Sequence, residues 1–249
     1  MKEYIDTIPL HEAFDSGDEC PFCYLERLSE QRAIRYCIGP GASYMEPDFR
    51  AETDRFGFCR QHMKKLHDYG NALGNALILQ TYLAGVLKEL EEQADSFAVP
   101  PKPSLFRGKM EDPALLSWVK EKESTCFLCQ RQAYNMKRYF HTFFVLLREP
   151  EFRQKVENSK GFCMHHFGQL LEHAPKEVPN DHRQWFYETA LSLMQDNLLR
   201  VKEDLDHFVE MFDYRRSGSD WRNSRDAVSR TMQKLRGAYP ADPPYKSDT

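Results

Sequence analysis

The sequence lacks the features that mark membrane, secreted and broadly nucleic-acid-binding proteins. No stretch approaches 18 uninterrupted apolar residues, and residues 1–17 contain no apolar core of a signal peptide. We therefore expect a cytoplasmic protein without a membrane segment. The formal net charge of −4 disfavours a chain whose whole surface binds nucleic acid. Alternating patterns that would predict β-strands are also missing.

The placement of the cysteines is the most informative feature of the sequence. Six of the seven cysteines in the 249-residue chain fall in two copies of one pattern, a CxxC pair followed by GFCxxH. In a reducing compartment, clustered cysteines are more often metal ligands than disulfides. A disulfide scaffold would also leave the histidines unexplained. The copies read Cys20-Pro-Phe-Cys23 with Gly57-Phe-Cys59-Arg-Gln-His62, and Cys126-Phe-Leu-Cys129 with Gly161-Phe-Cys163-Met-His-His166.

Each copy offers three thiols and one imidazole, the ligand set of a closed, structural zinc site. We expect each ion to join the CxxC turn and the CxxH helix of its own copy. Zinc in such sites contributes on the order of 10 kcal/mol to folding. Cys37 is left over and is interpreted as a buried apolar residue. The predicted ligands are Cys20, Cys23, Cys59 and His62 for one ion, and Cys126, Cys129, Cys163 and His166 for the other.

Other chemistries remain open on the residues alone. Three thiols and a histidine can also hold an iron–sulfur cluster. Oxidation of these thiols with loss of metal would make the chain a redox or metal sensor. The zincin and deaminase signatures fail, so no catalytic residue is predicted. An enzyme would need a pocket between the two halves of the chain.

The two copies share more than their ligands. Glu46-Pro-Asp-Phe-Arg50 precedes the first GFCxxH, and Glu149-Pro-Glu-Phe-Arg153 precedes the second, which indicates an internal duplication. We predict an all-α protein of two tandem metal-binding helical modules. The modules span 1–98 and 114–216, a proline-rich linker spans 99–113, and a basic helix with a tail spans 217–249.

Apolar spacing predicts helices throughout both modules. One long helix, over about 71–97, carries a leucine stripe of Leu73, Leu77, Leu83, Leu87 and Leu90. A second, over about 180–216, carries a heptad-like seam. Such a seam is the core face of a bundle or, less commonly, a contact between two chains.

The end of the sequence is locally basic. Seven cations lie between 215 and 236 around Trp221, and we expect a basic helix at about 220–235. A solvated face is the simpler interpretation, and this helix is the one place where nucleic acid or an acidic partner could bind. Elsewhere we expect a protein partner and no membrane.

The order CPxC, GFCxxH, CxxC, GFCxxH in an all-helical chain of this length resembles an uncharacterised bacterial family, domain-of-unknown-function family 6062. The resemblance covers nearly the whole chain through the eight ligands and their flanks. It implies a metal-binding helical protein of the cytosol and transfers no catalytic residue. Together, the residues and the resemblance predict a zinc-binding scaffold or adaptor, with a thiol-based sensor as the alternative.

Overall fold

The computed structural model describes residues 6–99 and 113–238. The regular structure in these two ranges is entirely helical, as predicted, and none of its helices is both long and apolar enough to cross a bilayer. The α-helices of the described residues are α1 (Thr7–Asp15), α2 (Pro21–Ile38), α3 (Pro47–Phe56), α4 (Arg60–Tyr69), α5 (Ala72–Asp95), α6 (Ala114–Ser124), α7 (Phe127–Leu146), α8 (Pro150–Glu157), α9 (Met164–Glu177), α10 (Arg183–Glu210) and α11 (Ala227–Arg236).

The chain forms two compact units. Unit 1 contains the described residues 6–29 and 134–238, and unit 2 contains 30–99 and 113–133. The boundaries fall inside α2 and α7. The predicted modules at 1–98 and 114–216 are therefore each divided between the units. The predicted linker, apart from its end residues, and the last part of the predicted tail lie outside the described residues.

Unit 1 has an aromatic core. Phe22, from the first CxxC pair, stacks on Phe140 with ring centroids 4.5 Å apart. Phe143 meets Phe22 edge-on, and Phe162 meets Phe143 edge-on, a geometry that aromatic rings favour. This core therefore packs directly against the CxxC turn at the start of α2. Its fully buried phenylalanines are Phe22, Phe140, Phe143, Phe144, Phe152, Phe162 and Phe186.

Unit 2 has a smaller core, in which aliphatic side chains share the space with Phe49, Phe58 and Phe127. Helix α5 packs on this core through Gly74 and Ile78, while much of its leucine stripe stays exposed. Cys37 is fully buried in this core, and burial raises the pKa of its thiol to about 12. A thiol that stays protonated at neutral pH fits the interpretation of Cys37 as a buried apolar residue.

Sequence and structure differ at several helix boundaries. Helices α1 and α6 were not predicted. The C-terminal helix begins at Ala227 instead of near 220, because residues 218–226 form turns in which Arg222 has φ 48°. Helices α4 and α9 begin one residue after Cys59 and Cys163, which serve as their N-caps.

Candidate metal centres

The eight predicted ligands converge in two groups that could each hold a metal ion. The prediction that each ion joins the CxxC and the CxxH of one copy was wrong. Each CxxC pair instead meets the CxxH pair of the other copy. The buried tetrad, in unit 1, consists of Cys20, Cys23, Cys163 and His166, and all four residues are buried. The half-exposed tetrad, in unit 2, consists of Cys59, His62, Cys126 and Cys129.

Distances within the buried tetrad fit one tetrahedral ion. The His166 Nδ1 atom lies 3.5 Å from Cys20 Sγ, 3.5 Å from Cys23 Sγ and 3.2 Å from Cys163 Sγ. The Sγ atoms of Cys23 and Cys163 are 3.6 Å apart. Bonds of about 2.3 Å to sulfur and about 2.1 Å to nitrogen place tetrahedral sulfurs about 3.8 Å apart and sulfur and nitrogen about 3.6 Å apart.

The half-exposed tetrad has nearly the same dimensions. The His62 Nδ1 atom lies 3.3 Å from each of its three thiols, and the Sγ atoms of Cys59 and Cys129 are 3.8 Å apart. In each tetrad all four ligand atoms lie within 4.8 Å of one another. Both groups can therefore close around a single ion with four protein ligands.

Every ligand sits at the start of a helix. In the CxxC pairs the first cysteine precedes α2 or α7 and the second lies in the first turn, while in the CxxH pairs the cysteine caps α4 or α9 and the histidine follows in the first turn. Helix N-termini carry unpaired N–H groups and a partial positive charge, both of which stabilise thiolates. The His166 N–H, for example, donates to Cys163 Sγ at 3.4 Å. Each tetrad thus forms where two helix N-termini meet.

The glycine of each GFC motif has a structural reason. Gly57 and Gly161 have φ angles of 57° and 72°, in the left-handed region that favours glycine. A Cβ on Gly57 would lie 2.5 Å from the Tyr82 hydroxyl, and one on Gly161 would lie 3.2 Å from Leu193 Cβ. These glycines let the chain turn so that the phenylalanine enters the core and the cysteine reaches the tetrad.

The buried tetrad is covered by the C-terminal helix. The Ala238 backbone N–H, just after α11, donates a hydrogen bond to Cys23 Sγ. Gly237 lies so close that a Cβ there would be 3.5 Å from Cys163 Sγ. From the same helix, Gln233 donates to Asp18 Oδ1 at 2.6 Å, and Asp18 accepts from the Cys20 N–H at 3.0 Å. Helix α11 therefore fixes both the thiols and the turn that presents them.

Lys234 joins the two ligand-bearing segments of the buried tetrad. Its side chain is 1% exposed, and its Nζ donates to the carbonyl oxygens of Glu19 and Lys160. One carbonyl directly precedes Cys20 and the other directly precedes the Gly161-Phe-Cys163 turn. Burial lowers the pKa of Lys234, while the nearby Glu19 carboxylate opposes that shift. The cation thus acts as a buried hydrogen-bond donor to two remote loops.

In the half-exposed tetrad, the segments that carry the CxxC pair and the GFC motif are joined by a backbone hydrogen bond. The Phe127 N–H donates to the Gly57 carbonyl oxygen at 2.9 Å, linking the CxxC turn directly to the GFC turn. In the other copy the residue after the first cysteine is Pro21, which has no N–H to donate. Lys234 bridges the corresponding segments in its place.

Both histidines have a carboxylate behind them, and the two carboxylates lie one turn apart on α2. His62 Nε2 is 3.1 Å from Glu30 Oε1, which also accepts from Lys65. His166 Nε2 is 3.8 Å from Glu26 Oε2, too far for a direct hydrogen bond. A carboxylate on the outer nitrogen orients a metal-binding imidazole so that its other nitrogen faces the ion.

One thiol in each tetrad is stabilised as a thiolate. In the buried tetrad, hydrogen bonds from Cys20 and Cys23 hold the pKa of Cys163 far below that of a free thiol. In the half-exposed tetrad, burial alone would raise the pKa of Cys126, but the hydrogen bond with His62 and backbone N–H groups lower it to about 6. Thiolates are the form that binds metal.

Several residues that surround the tetrads were not recognised in the sequence. Glu26 and Glu30 carry no motif, although their i, i+4 spacing places them on the same face of α2. Lys234 and Arg230 were counted in a solvated basic face, yet both are buried. Arg230 pairs with Asp204 and Asp226, each at 2.8 Å. These two cations are therefore directed inward and are not available to an external partner.

The chain belongs to a family of unknown function, DUF6062, whose model matches residues 1–242. No curated protein and no solved structure matches it. The resemblance read from the CxxC and GFCxxH motifs is thus confirmed at the level of the family. The two tetrads give this family member a metal-binding geometry.

Proposed function

We propose that this protein is a cytoplasmic zinc-binding helical scaffold, in which two ions hold remote segments together and the folded surface binds a protein partner. The observation that carries the proposal is the closure of both tetrads. Each supplies four protein ligands at tetrahedral spacing around one point. A catalytic zinc keeps a coordination position open for water or substrate, whereas a structural zinc does not.

The spacing favours a single ion over an iron–sulfur cluster. Cysteines that bind different irons of a cluster must stand further apart than those that share one ion, because the irons and sulfides lie between them. Here the ligand atoms of each tetrad lie within 4.8 Å of one another. Zinc is the ion that three thiolates and one imidazole bind most commonly in structural sites.

The cofactor is tested by elemental analysis and visible absorption of the full chain purified without oxygen. We expect colourless protein with two zinc ions per chain. Replacing zinc by Co²⁺ should give the absorption bands of tetrahedral thiolate coordination with two equivalents bound. Brown protein that contains iron and acid-labile sulfide would overturn the zinc assignment.

The scaffold role is tested separately from the metal. Tagged protein is used to recover partners from the native cytosol, and the purified chain is incubated with extracts of small metabolites. A protein recovered reproducibly, and competed by untagged chain, is the expected result. Turnover of a metabolite together with the absence of any reproducible partner would contradict the scaffold role.

A second candidate function, a thiol-based sensor, is favoured by one observation. In the half-exposed tetrad Cys129 is exposed and Cys59 is partly exposed, and their Sγ atoms are 3.8 Å apart. Peroxide and two protons would oxidise these two thiolates to a disulfide, yield two water molecules and release the ion. The buried tetrad offers no such exposed pair.

The sensor is tested by titrating peroxide while following zinc release and circular dichroism. A sensor would release one zinc per chain at low oxidant and retain the second. Retention of both ions at millimolar peroxide would eliminate the sensor and leave the scaffold. Simultaneous release of both ions would show that the difference in burial has no chemical consequence.

A further inference from the structure

Four of the five leucines in the α5 stripe are exposed on unit 2, and Leu77 is half-buried. Leu73, Leu83 and Leu87 keep 65%, 58% and 52% of their surface accessible, and Leu90 keeps 41%. Ala76 and Ala94, on the same side, are exposed as well. A row of large apolar side chains in water is unfavourable, and a contiguous apolar patch of this kind usually marks an interaction surface.

The opposite side of α5 already has its packing partners. Gly74 and Ile78 are buried, the Thr81 hydroxyl donates to Asp54 on α3 at 2.8 Å, and Tyr82 approaches Gly57. The stripe lies half a turn away from these residues at 100° per residue. It is therefore a second apolar face, separate from the one that attaches α5 to its unit.

The other long helix shows how such a face is normally covered. On α10 of unit 1, Ala190, Met194 and Val201 belong to the heptad-like seam and are buried. Helix α11 packs along α10, and Arg230 anchors it to Asp204 of that helix. The seam of α10 therefore packs in the core of unit 1, whereas the leucine stripe of α5 is largely exposed to solvent.

We propose that α5 pairs antiparallel with α5 of a second copy of this chain. The stripe advances in alternating steps of three and four residues, the spacing that lets two helices interlock side chains. The proposal concerns the surface of unit 2 and does not depend on which metal the tetrads bind. The face used for pairing comprises positions 73, 76, 80, 83, 87, 90, 94 and 97, all apolar except Gln80. Phe97 lies two residues past the end of α5 at Asp95.

One antiparallel register sets leucine against leucine and alanine against alanine, and it sets Gln80 against Leu90. With Leu83 opposite Leu87 of the second copy, Ala76 faces Ala94. Leu73 then lies toward Phe97, which follows the C-cap of α5 at Ser96, so each end of the contact adds two large apolar side chains. The alanines let the helices approach closely between these larger contacts. Because the pairing is two-fold symmetric, every contact occurs twice and the assembly closes as a dimer.

Charge favours the antiparallel direction and a second copy as the occupant. Residues 72–87 contain no charged side chain, whereas 88–95 contain one lysine against four carboxylates, which gives a net −2 when Lys122, the partner of Glu89, is counted. Helix α4, which leads into α5, carries Arg60, Lys64 and Lys65 against Asp68, which gives a net +1 when Glu30, the partner of Lys65, is counted. Antiparallel pairing brings the acidic end of one α5 toward α4 and the positive helix N-terminus of the other copy. Parallel pairing would bring two acidic ends together.

The test compares the molar mass of three full-length proteins by sedimentation equilibrium. The unaltered protein should have a molar mass twice that of one chain. Leu87→Glu should have the molar mass of a single chain, because it places two charges at the centre of the contact. Leu191→Glu is the matched control, since Leu191 on α10 is 51% exposed. It should leave the dimer intact. A monomeric unaltered chain, a dimeric Leu87→Glu protein or a monomeric Leu191→Glu protein would each overturn the proposal.

The direction of pairing is tested with a photocrosslinker, p-benzoylphenylalanine, at position 73. In a mixture of ¹⁴N- and ¹⁵N-labelled chains, crosslinks between light and heavy peptides should map near 97. Crosslinks near 73 of the other chain would contradict the antiparallel arrangement. Crosslinks confined to one chain would show that the protein covers the stripe itself.

The metal content of Leu87→Glu separates this inference from the proposed function. It should equal that of the unaltered chain, since Leu87 contacts neither tetrad. Two zinc ions in a monomeric unaltered chain would refute the dimer and leave the scaffold standing. If Leu87→Glu lost both ions, it would be unfolded, and its dissociation would come from unfolding. That result would overturn the assignment of the contact to α5.

Discussion

The two tetrads use the same ligands on the same kinds of helix ends, yet their surroundings differ. Helix α11 covers the buried tetrad, and Lys234 bridges its two loops. In the half-exposed tetrad, a backbone hydrogen bond joins the two loops, and Cys129 is exposed. The ligand motif thus determines which atoms could bind the ion, and the residues around the motif determine how easily solvent reaches that ion.

The crossed pairing has a low entropic cost. Cys23 and Cys163 are 140 positions apart, and His62 and Cys126 are 64 positions apart. Each doubling of a closed loop costs only about 0.6 kcal/mol, far less than an ion or an aromatic core contributes. Packing can therefore select the partner of each CxxC pair almost regardless of sequence distance.

Pairs of cysteine substitutions should give the largest effect and can refute the crossed pairing. Cys20→Ala with Cys163→Ala removes two ligands of one tetrad, so about one zinc per chain should remain. Cys20→Ala with Cys59→Ala disables both tetrads, so no zinc should remain. Because each ion contributes on the order of 10 kcal/mol, the second protein should be largely unfolded by circular dichroism.

The two double variants serve as controls for each other, since both lose two thiols. Elemental analysis and Co²⁺ absorption report the metal, and circular dichroism reports the fold. If the first pair lost both ions while the second kept one, each ion would join the elements of its own copy. The comparison of a buried with a half-exposed tetrad would then have no basis.

Lys234→Met should give the next largest effect, and it should affect mainly the buried tetrad. Methionine is of similar length but leaves the carbonyl oxygens of Glu19 and Lys160 without their donor. Unpaired buried acceptors and the loss of a buried cation beside Glu19 should lower the free energy of unfolding by about 3 kcal/mol. Urea unfolding of the zinc-loaded protein measures this loss.

Lys202→Met provides the matched control. Lys202 lies on α10 in the same unit, but its ion pair with Asp206 is solvent-exposed, so its replacement should change stability little. In Lys234→Met, a chelator should also remove the ion of the buried tetrad faster than it does from the unaltered protein. Equal unfolding curves for the two variants would mean that the bridge between the ligand loops has no energetic role.

The sequence was sufficient to predict the all-helical fold and the eight residues that converge. CxxC and GFCxxH are local patterns, and each of their positions has a local reason, such as the left-handed φ of Gly57 and Gly161. The pairing of the tetrads could not be predicted in the same way. Either CxxC pair with either CxxH gives three thiols and one imidazole, so ligand chemistry does not distinguish the two arrangements.

The role of the C-terminal helix was missed for a related reason. A lysine in a basic segment is normally solvated, and nothing local marks Lys234 as the one that enters the protein. The sign that a donor is needed is Pro21, which directly follows the first cysteine of the first CxxC pair. Because Pro21 lacks an N–H, the first CxxC turn cannot make the backbone bond that Phe127 makes. That difference between the copies is the signal that another donor is required.

Glu30→Gln should have a moderate effect, confined to the half-exposed tetrad. Glu30 accepts from His62 at 3.1 Å, whereas Glu26 stands 3.8 Å from His166. Loss of a carboxylate behind a ligating histidine weakens metal binding by about 10–100-fold. Chelator competition should show this weakening for one of the two ions in Glu30→Gln and little change in Glu26→Gln.

Glu30 also pairs with Lys65 at 2.5 Å, so Lys65→Gln is needed as a control. It removes the ion pair and keeps the carboxylate on His62. Zinc affinity in Lys65→Gln should stay close to that of the unaltered chain. If zinc affinity fell as far in Lys65→Gln as in Glu30→Gln, the effect would come from the ion pair. The carboxylate on His62 would then give that histidine no advantage over His166.

Cys37→Ala should have the smallest effect and sharpens the comparison by removing the spare thiol of unit 2. Cys37 is fully buried, and burial raises its pKa to about 12, so it does not offer a thiolate to the half-exposed tetrad. We expect two zinc ions per chain, unchanged chelator kinetics and a loss of stability of about 1 kcal/mol from the smaller side chain. Faster zinc release from this variant would mean that Cys37 exchanges with a ligand, and the exposure of Cys129 alone would no longer account for the difference between the tetrads.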